Sequence, residues 1–234
     1  MGVAVRYLAA SAVLSLLPMA ENPAMVYSIV TLAVIGSLIH FNFGPSGEIL
    51  FKDPNTGHVH PISYVVYFPF HLINLGMIHL TKLFYHRTPG SEVVPGFWLA
   101  GRHANQVERL AKFTPSKQWD CVIDLTCEFT ETAQVKRMNY LNVPTWDGCP
   151  ASVEEIEHCV QFCEERYGEN KLILVHCAHG VGRSTLVMCA VLVRLGLQPN
   201  GQAALQHIKL SRPFARLNPG MTKRLQEWQD KYNH

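Results

Sequence analysis

The sequence predicts an α/β fold with a mainly parallel central sheet flanked by helices, preceded by hydrophobic transmembrane helices. Two observations support this prediction. In the C-terminal part of the chain, short apolar runs alternate with helical patterns, which is typical of a parallel sheet with helices packed on it. In contrast, the first 81 residues contain only five charged side chains among long apolar stretches.

Short runs of apolar and β-branched residues, bounded by polar or glycine-rich segments, predict four buried strands. These runs are residues 97–101 (FWLAG), 120–126 (DCVIDLT), 139–145 (NYLNVPT) and 171–176 (KLILVH).

Helical patterns lie between and after these strands. The clearest begins at Ser152, where Ser152 and Glu155 form an S-x-x-E capping box, and Gly168 is expected to end it. Two further helices are predicted over residues 184–195 and from residue 199 to about 211.

Three N-terminal stretches without charge are candidate membrane segments: residues 7–20, 24–43 and 62–81. A helix needs about 20 apolar residues to cross a bilayer, so the second stretch is long enough and the first is short. The third is interrupted by Pro69 and two histidines. A signal peptide or buried helices remain alternatives, although a removed signal would leave the second and third stretches unexplained.

The chain is therefore divided into three parts. Residues 1–81 are predicted to be a membrane-associated region with two or three hydrophobic helices. Residues 82–96 contain Pro and Gly that break periodicity, and they are interpreted as a linker. Residues 97–234 are predicted to be a folded C-terminal domain.

The basic residues that follow the third stretch predict the topology. Lys82, His86 and Arg87 favour the cytosolic side of a membrane, so the C-terminal domain is expected to face the cytosol. Arg6 favours the same side, and three full spans cannot satisfy both. Either two stretches span the membrane and the remaining one lies in the interface, or Arg6 lies on the opposite side despite its charge.

Composition excludes some classes of protein. The net charge of +2 gives no signal for nucleic-acid binding. All seven cysteines lie between Cys121 and Cys189, and an odd number within apolar runs does not predict a disulfide framework. A reducing compartment is expected, and no pattern in the chain predicts a cofactor.

The stretch LILVHCAHGVGRSTLVMCAVL, residues 172–192, predicts a strand, a short loop and a helix. Ligands of open parallel sheets bind beyond the carboxyl ends of the strands. Gly180 and Gly182 let the backbone curl, and the helix entrance offers free N–H groups and a positive dipole end. This combination predicts an anion site, with phosphate as the favoured anion.

The side chains on this loop predict nucleophilic chemistry at the bound anion. Loop amides, the helix dipole and Arg183 all favour the thiolate of Cys177. The planar guanidinium of Arg183 can hold two phosphate oxygens. Ser184 can donate its hydroxyl to the sulfur, which would help Cys177 leave from a phosphorylated intermediate.

The motif HCAHGVGRS resembles the signature of cysteine-based protein phosphatases, and its context resembles the compact dual-specificity group. FWLAGRHAN is similar to the opening strand and turn of that catalytic domain. SRPFARLNPGM is similar to a segment near its end, where Arg212, Pro213, Asn218 and Gly220 are expected to support the phosphate loop. The resemblance covers about residues 97–230.

This resemblance implies roles for individual residues. Cys177 would be the nucleophile, Arg183 the phosphate clamp, Ser184 the hydroxyl donor, and His176 the residue that orients the loop. The implied phosphate-binding residues are Ala178, His179, Gly180, Val181, Gly182 and Arg183.

The family's mechanism also needs a general acid from an upstream loop. Asp147 fits, because it follows an apolar strand, precedes the Ser152 helix and lies 30 residues before Cys177. Asp124 is the competitor, but it lies within a predicted strand and is interpreted as structural.

Alternatives remain for the site and the substrate. His176, Cys177 and His179 could be imagined as metal ligands, but the loop geometry directs Cys177 at an anion, so no metal is predicted. The family's default substrate is a phosphoprotein carrying phosphotyrosine, with or without phosphoserine or phosphothreonine. A membrane anchor supports a phospholipid or phosphoinositide as the alternative, whereas the lack of Lys or Arg between Cys177 and Arg183 argues mildly against highly phosphorylated inositides. An inactive phosphate-binding module is the third possibility.

Overall fold

The computed structural model describes residues 2–84, 90–102, 119–131, 139–167 and 171–232. Three predicted features lie outside these ranges: linker residues 85–89, the turn after Arg102, and the helix stop at Gly168.

A five-stranded sheet forms the centre of the C-terminal part. Its strands are β1 (Gly90–Val94), β2 (Phe97–Gly101), β3 (Cys121–Thr126), β4 (Asn139–Thr145) and β5 (Ile173–Cys177), in the spatial order β1-β2-β5-β3-β4. β1 runs antiparallel to β2, and the other neighbours are parallel. All four predicted strands are present, and the prediction of a mainly parallel sheet is confirmed. The whole sheet is mixed, because β1 is antiparallel to its neighbour.

Strand β1 corrects the interpretation of residues 82–96 as a linker. Helix α5 extends to Phe84, and residues 90–94 pair with β2 in the sheet. Pro95 and Gly96 form the turn of this hairpin, and Gly96 has a φ of +86°, which glycine adopts without strain. The Pro and Gly residues therefore mark a hairpin turn within the folded unit.

Four described helices follow the fourth and fifth strands: α6 (Val153–Glu164), α7 (Arg183–Arg194), α8 (Gly201–Ser211) and α9 (Pro219–Tyr232). The predicted capping box at the start of α6 is present, because the Ser152 side chain accepts from the Glu155 N–H and the Glu155 side chain accepts from the Ser152 N–H. Helix α9 is not among the predicted helices, although Met221, Leu225 and Trp228 give it a buried face.

One hydrophobic core joins these four helices to one face of the sheet. It includes Leu99 of β2, Ile123 of β3 and Val175 of β5, together with eight consecutive buried residues of α7 from Leu186 to Val193. Helix α7 is buried from Arg183 to Val193, so its N-terminus is fixed behind the end of β5.

Among the described residues, five helices precede the sheet: α1 (Gly2–Ser15), α2 (Pro23–Phe41), α3 (Ser46–Ile49), α4 (Pro61–Val66) and α5 (Phe68–Phe84). The third predicted membrane segment is divided at Tyr67 between α4 and α5. Within the described ranges, only α2, with 19 residues, is long and apolar enough to cross a membrane. In its most apolar segment of 18 residues, 28% is buried. α1 is apolar but shorter.

The N-terminal helices also contact the catalytic part directly. Tyr7 of α1, Ile39 of α2 and Phe70 of α5 belong to one buried cluster with Trp146 and Cys149, which follow β4. The phenol of Tyr7 donates to Asn74 Oδ1 across 2.9 Å, which ties α1 to α5. The segment after β4 thus packs between the sheet and the N-terminal helices.

Candidate active site

The phosphate loop predicted from the sequence connects β5 to α7. β5 is fully buried and ends at Cys177, and α7 begins at Arg183. Gly180 has a φ of +63°, and a Cβ there would overlap the backbone of Ala100 on β2. Glycine is therefore required where the loop passes over the neighbouring strand.

The Cys177 thiol lies on the floor of this loop. Its Sγ is 3.3 Å from Ser184 Oγ, and the residue is 3% exposed. Burial alone would raise the pKa of Cys177, but Arg183, the Ser184 hydroxyl and the backbone N–H groups of Ser184 and Val181 together lower it. The loop therefore stabilises a thiolate, which is the nucleophilic form of cysteine.

Arg183 is held in a fixed orientation by four acceptors. Its Nη1 donates to Thr145 O (2.7 Å) and Leu125 O (3.1 Å), and its two terminal nitrogens contact the Glu128 carboxylate at 3.0 and 2.7 Å. The side chain is buried, and its Nε has no hydrogen-bond partner among the described residues. Such bidentate pairing gives the guanidinium one orientation.

Glu128 is a site residue that the sequence analysis missed. Burial alone would raise the pKa of Glu128, but the guanidinium of Arg183 outweighs it and lowers the pKa, so the carboxylate is ionised beside the arginine. One signal was available, since Glu128 follows β3, whose carboxyl end lies at the same sheet edge as that of β5. The identity of its partner could not be read from the sequence.

Asp147, the predicted acid, reaches the same guanidinium. Its Oδ1 lies 3.1 Å from Arg183 Nη2, and its side chain is 31% exposed, whereas the Arg183 side chain is almost fully buried. The acid loop that carries it, residues 146–149, is anchored on both sides. Asn218 Nδ2 donates to Gly148 O at 2.7 Å, and the Cys149 thiol donates to Ile39 O of α2 at 3.3 Å.

Asp124, the competitor, lies apart from the loop that carries Asp147. It is fully buried and forms an ion pair with Lys52, with 2.7 Å between Oδ2 and Nζ. Tyr140 donates to the same oxygen at 2.9 Å. A carboxylate paired with a buried lysine is a poor proton donor, which agrees with its interpretation as structural.

His176 precedes the cysteine and is fully buried between two carboxylates. Its Nε2 lies 3.0 Å from Glu131 Oε2 and 3.7 Å from Asp124 Oδ1. Burial alone would lower the pKa of His176, but Asp124 and Glu131 outweigh it and raise the pKa. Glu131 and Lys52, like Glu128, were not predicted from the sequence.

Arg212 supports the loop from below, as the resemblance implies. It is buried, its Nε donates to Gly180 O at 2.6 Å, and its Nη2 donates to His179 O at 3.2 Å. Asn218 holds the acid loop instead of the phosphate loop. Pro213 and Gly220 are exposed.

The metal alternative can be tested on donor geometry. Within the described ranges, one group of side chains has metal-like spacing, and it comprises Asp124, Glu131 and His176, without Cys177 or His179. The ammonium of Lys52 already contacts Asp124 at 2.7 Å. This charge balances the carboxylate, so the donor set does not require an ion.

Residues 103–231 match the family described as "Dual specificity phosphatase, catalytic domain". The chain belongs to this family. Among curated proteins, it is 30% identical over 118 residues to the dual specificity protein phosphatase Mpk3 of Drosophila melanogaster, covering 49% of this chain and 28% of that protein. It is 37% identical over 71 residues to dual specificity protein phosphatase 1 of Arabidopsis thaliana, covering 30% of this chain and 35% of that protein.

The aligned part of this chain thus spans well under half the length of these curated relatives. Among solved structures, human DUSP28 has a TM-score of 0.53 at 24% identity and covers 63% of this chain and 97% of its own. PTPMT1 in complex with PI(5)P has a TM-score of 0.52 at 17% identity and covers 62% and 96%. At these identities the structures show a shared fold. The sequence matches and the site geometry together support a cysteine-dependent phosphatase.

Proposed function

We propose that this protein hydrolyses phosphate monoesters through a cysteinyl-phosphate intermediate. The observation that carries the proposal is the convergence of the Cys177 thiol, the Arg183 guanidinium and the Asp147 carboxylate at the N-terminus of α7. A nucleophile, an anion clamp and a proton donor are the groups that this chemistry requires.

In the first step, the Cys177 thiolate attacks phosphorus and a sulfur–phosphorus bond forms. The bond from phosphorus to the leaving oxygen breaks, and Asp147 donates its proton to that oxygen. The backbone N–H groups of residues 178–183 and Arg183 bind the equatorial oxygens, where negative charge is spread in the transition state. The Nε of Arg183, which lacks a partner among the described residues, is a donor for one of them.

In the second step, water attacks phosphorus and gives a proton to Asp147. The sulfur–phosphorus bond breaks, inorganic phosphate is released, and Cys177 leaves as a thiolate. Ser184 assists here because its hydroxyl is 3.3 Å from Sγ and can donate to the developing charge.

Replacement of Ser184 by alanine is expected to slow this second step more than the first. A hydrogen bond to a charged group contributes about 1.5–3 kcal/mol, so turnover should fall by roughly 10- to 100-fold. Stopped-flow measurement with an aryl phosphate should show a rapid burst of phenol followed by slow turnover. Ser211→Ala, on the exposed end of α8, is the matched control. A Ser184→Ala variant with no burst and unchanged turnover would remove Ser184 from the mechanism.

We propose a phosphoprotein as the substrate and a membrane as the site of action. The protein substrate is supported by the curated relatives, which are named as dual specificity protein phosphatases, and by a loop without Lys or Arg between Cys177 and Arg183. The membrane is supported by the exposed apolar surface: 20 of the 22 large hydrophobic side chains that are exposed among the described residues lie between Val5 and Leu80. Such a concentration of apolar side chains is typical of a membrane-contacting surface.

In this proposal, α2 anchors the chain as an integral membrane segment. Lys82, His86 and Arg87, the basic residues that follow the third apolar stretch, place the catalytic part in the cytosol.

A phospholipid monophosphate is the second candidate substrate, and one structural observation favours it. The acid loop packs against the apolar helices, since Trp146 Nε1 lies 3.5 Å from Phe43 O and the Trp146 ring lies edge-on to Phe70 with 6.4 Å between centroids. Ile78 of α5 clusters with Ala178 of the phosphate loop. The apolar helices thus border the loops that would receive the phosphate, so a lipid headgroup could reach them from the bilayer surface.

A substrate panel distinguishes the two candidates. The full chain is reconstituted in bilayers and tested with phosphotyrosine, phosphoserine and phosphothreonine peptides, with phosphatidic acid and with phosphatidylinositol 5-phosphate. A kcat/KM that is highest for the phosphopeptides supports the first candidate, and one that is highest for a lipid and depends on its presentation in the bilayer supports the second. No release of phosphate from any substrate, including an aryl phosphate, would refute the proposed activity.

A further inference from the structure

A loop from the N-terminal part of the chain reaches the buried side of the active site. Lys52 follows α3 and is 3% exposed. Its ammonium donates to Asp124 Oδ2 at 2.7 Å, to Thr126 Oγ1 at 3.2 Å and to the Thr126 carbonyl oxygen. These acceptors all lie on β3, next to the strand that carries Cys177.

Asp124 transmits this contact to the phosphate loop. It lies directly across from His176 in the pairing of β3 with β5, and its Oδ1 is 3.7 Å from His176 Nε2. The same Oδ1 accepts hydrogen bonds from the backbone N–H and from the hydroxyl of Thr126, both at 2.7 Å. Burial alone would raise the pKa of Asp124, but Lys52 and His176 hold it well below its usual range.

The same loop also holds the second carboxylate at His176. The backbone N–H of Glu131 donates to Gly57 O at 3.0 Å, and Glu131 Oε2 lies 3.0 Å from His176 Nε2. A Cβ on Gly57 would overlap the Tyr140 hydroxyl, so the loop packs tightly against β4. Residues 52–57 therefore contact both acidic residues that flank His176, Asp124 through its carboxylate and Glu131 through its backbone N–H.

We propose that Lys52 is a positioning residue of the active site, which acts through Asp124 and His176 to keep Cys177 in its thiolate form. The proposal rests on the proposed function and adds to it a residue far outside the family's matched region, residues 103–231. The catalytic site of this protein is thereby completed by its N-terminal part.

The direction of the effect follows from the response of Asp124. Burial favours the neutral form of this carboxyl group, and Lys52 opposes that tendency. When Lys52 is replaced by a neutral residue, Asp124 is therefore expected to take up a proton. His176 then loses an anionic neighbour and becomes less cationic beside Cys177, so the thiolate is destabilised and the pKa of Cys177 rises.

Several other charged or titratable groups face this network and are unchanged in the variants. They are Tyr140 on β4, Glu128 and Glu131 after β3, Asp147 on the acid loop and Arg183 on α7.

The test compares Lys52→Met, Lys52→Arg and Lys223→Met in the full chain. Lys223 is an exposed residue of α9 that contacts Glu227. The rate of Cys177 alkylation by iodoacetamide is followed against pH by mass spectrometry, together with the acidic limb of kcat/KM for an aryl phosphate. In Lys52→Met, the midpoint of the alkylation profile and the midpoint of the acidic limb are both expected to move to higher pH, by about 0.5–1 pH unit. In Lys52→Arg and Lys223→Met, they should stay within about 0.2 pH unit of the wild type.

Two results would overturn the proposal: an unchanged alkylation profile in Lys52→Met, or an equal shift in Lys52→Arg, which would make shape and not charge the cause. Alkylation needs no turnover, so a wild-type protein that hydrolyses nothing would refute the proposed function while the role of Lys52 remained measurable.

Removing one partner of a buried ion pair is strongly destabilising, so Lys52→Met alone could fail to fold. The double variant Lys52→Met with Asp124→Asn leaves no unpaired charge in place of the Lys52–Asp124 pair. His176 still loses its Asp124 carboxylate there, so the alkylation profile should again move to higher pH. Recovery of the wild-type profile in the double variant would show that Lys52 serves folding alone and would contradict the proposal.

Discussion

Replacement of Cys177 by serine is expected to abolish hydrolysis of an aryl phosphate, with a loss of roughly 10⁴-fold or more in kcat. The loop lowers the pKa of the Cys177 thiol through Arg183, Ser184 and backbone N–H groups, against the opposing effect of burial. A serine hydroxyl ionises at a far higher pH than a thiol, so the same groups cannot produce a useful concentration of alkoxide. Initial rates of phenol release measure the loss.

Binding should survive this substitution. The contacts that orient Arg183 come from Glu128, Thr145 and Leu125, and none involves the sulfur. Isothermal titration with a phosphopeptide or lipid that the wild type hydrolyses should therefore give a Kd for Cys177→Ser within a few-fold of the wild-type KM.

Cys189→Ala is the matched control for this experiment. Cys189 lies within α7 and is fully buried in the core, where burial raises the pKa of its thiol to about 12. A protonated thiol of this kind has no part in the chemistry, so the variant should retain activity. Hydrolysis by Cys177→Ser at a rate near that of the wild type would exclude Cys177 as the nucleophile.

Local signals in the sequence predicted the sheet well. β2 and β4 have the predicted bounds, and β3 and β5 differ from them by at most two residues at either end. β2, β3 and β5 are buried throughout, and continuous apolar runs mark such strands clearly. β1 was missed because it is an edge strand of mixed composition between two prolines, and its pairing with β2 depends on the Pro95–Gly96 turn.

The candidate site was predictable where the chain order determines it. Cys177, Arg183 and Ser184 lie on one strand–loop–helix unit, so their spacing alone implied their proximity. Asp147 was assigned to the site from its place after an apolar strand, and the structure brings it to 3.1 Å from Arg183 because that strand is parallel and ends at the same edge of the sheet. Parallel strands end at a common edge, which turns order along the chain into position in space.

The charged partners could not be predicted in this way. Lys52 reaches Asp124 across 72 positions of sequence, and Glu128 reaches Arg183 across 55. Lys52 was one of only five charges in an apolar region, and its pairing depends on how the N-terminal helices pack against β3. The membrane interpretation treated that region as separate, whereas Tyr7, Ile39 and Phe70 share a buried cluster with Trp146 and Cys149.

Replacement of Asp147 by asparagine is expected to reduce kcat by about 10²–10⁴-fold, the usual contribution of a general acid. Asparagine keeps a side-chain oxygen that can accept from Arg183, whose Nη2 lies 3.1 Å from Asp147 Oδ1 in the wild type. The position of the acid loop against Arg183 should therefore persist. What is lost is the proton that the leaving oxygen needs and, in the second step, the base that takes a proton from water.

The dependence on the leaving group separates this role from a structural one. An alkyl phosphate has a basic leaving oxygen and needs the acid fully, whereas a phosphate ester of an acidic phenol leaves with little help. The defect of Asp147→Asn in kcat/KM, which reports the first step, should therefore be largest for an alkyl phosphate and should shrink steadily along a series of increasingly acidic phenols. Asp230→Asn, on α9 away from the site, should show wild-type rates along the whole series.

A uniform loss along that series would mean that Asp147 only holds the acid loop against Arg183. A loss of less than about tenfold on the alkyl phosphate, where general acid catalysis matters most, would return Asp124 to consideration as the proton donor. Its geometry argues against that outcome, because Lys52 and Tyr140 both donate to the oxygen that would have to carry the proton. Asp147, with 31% of its side chain exposed, is the carboxyl group at the site that can exchange a proton with both a leaving group and water.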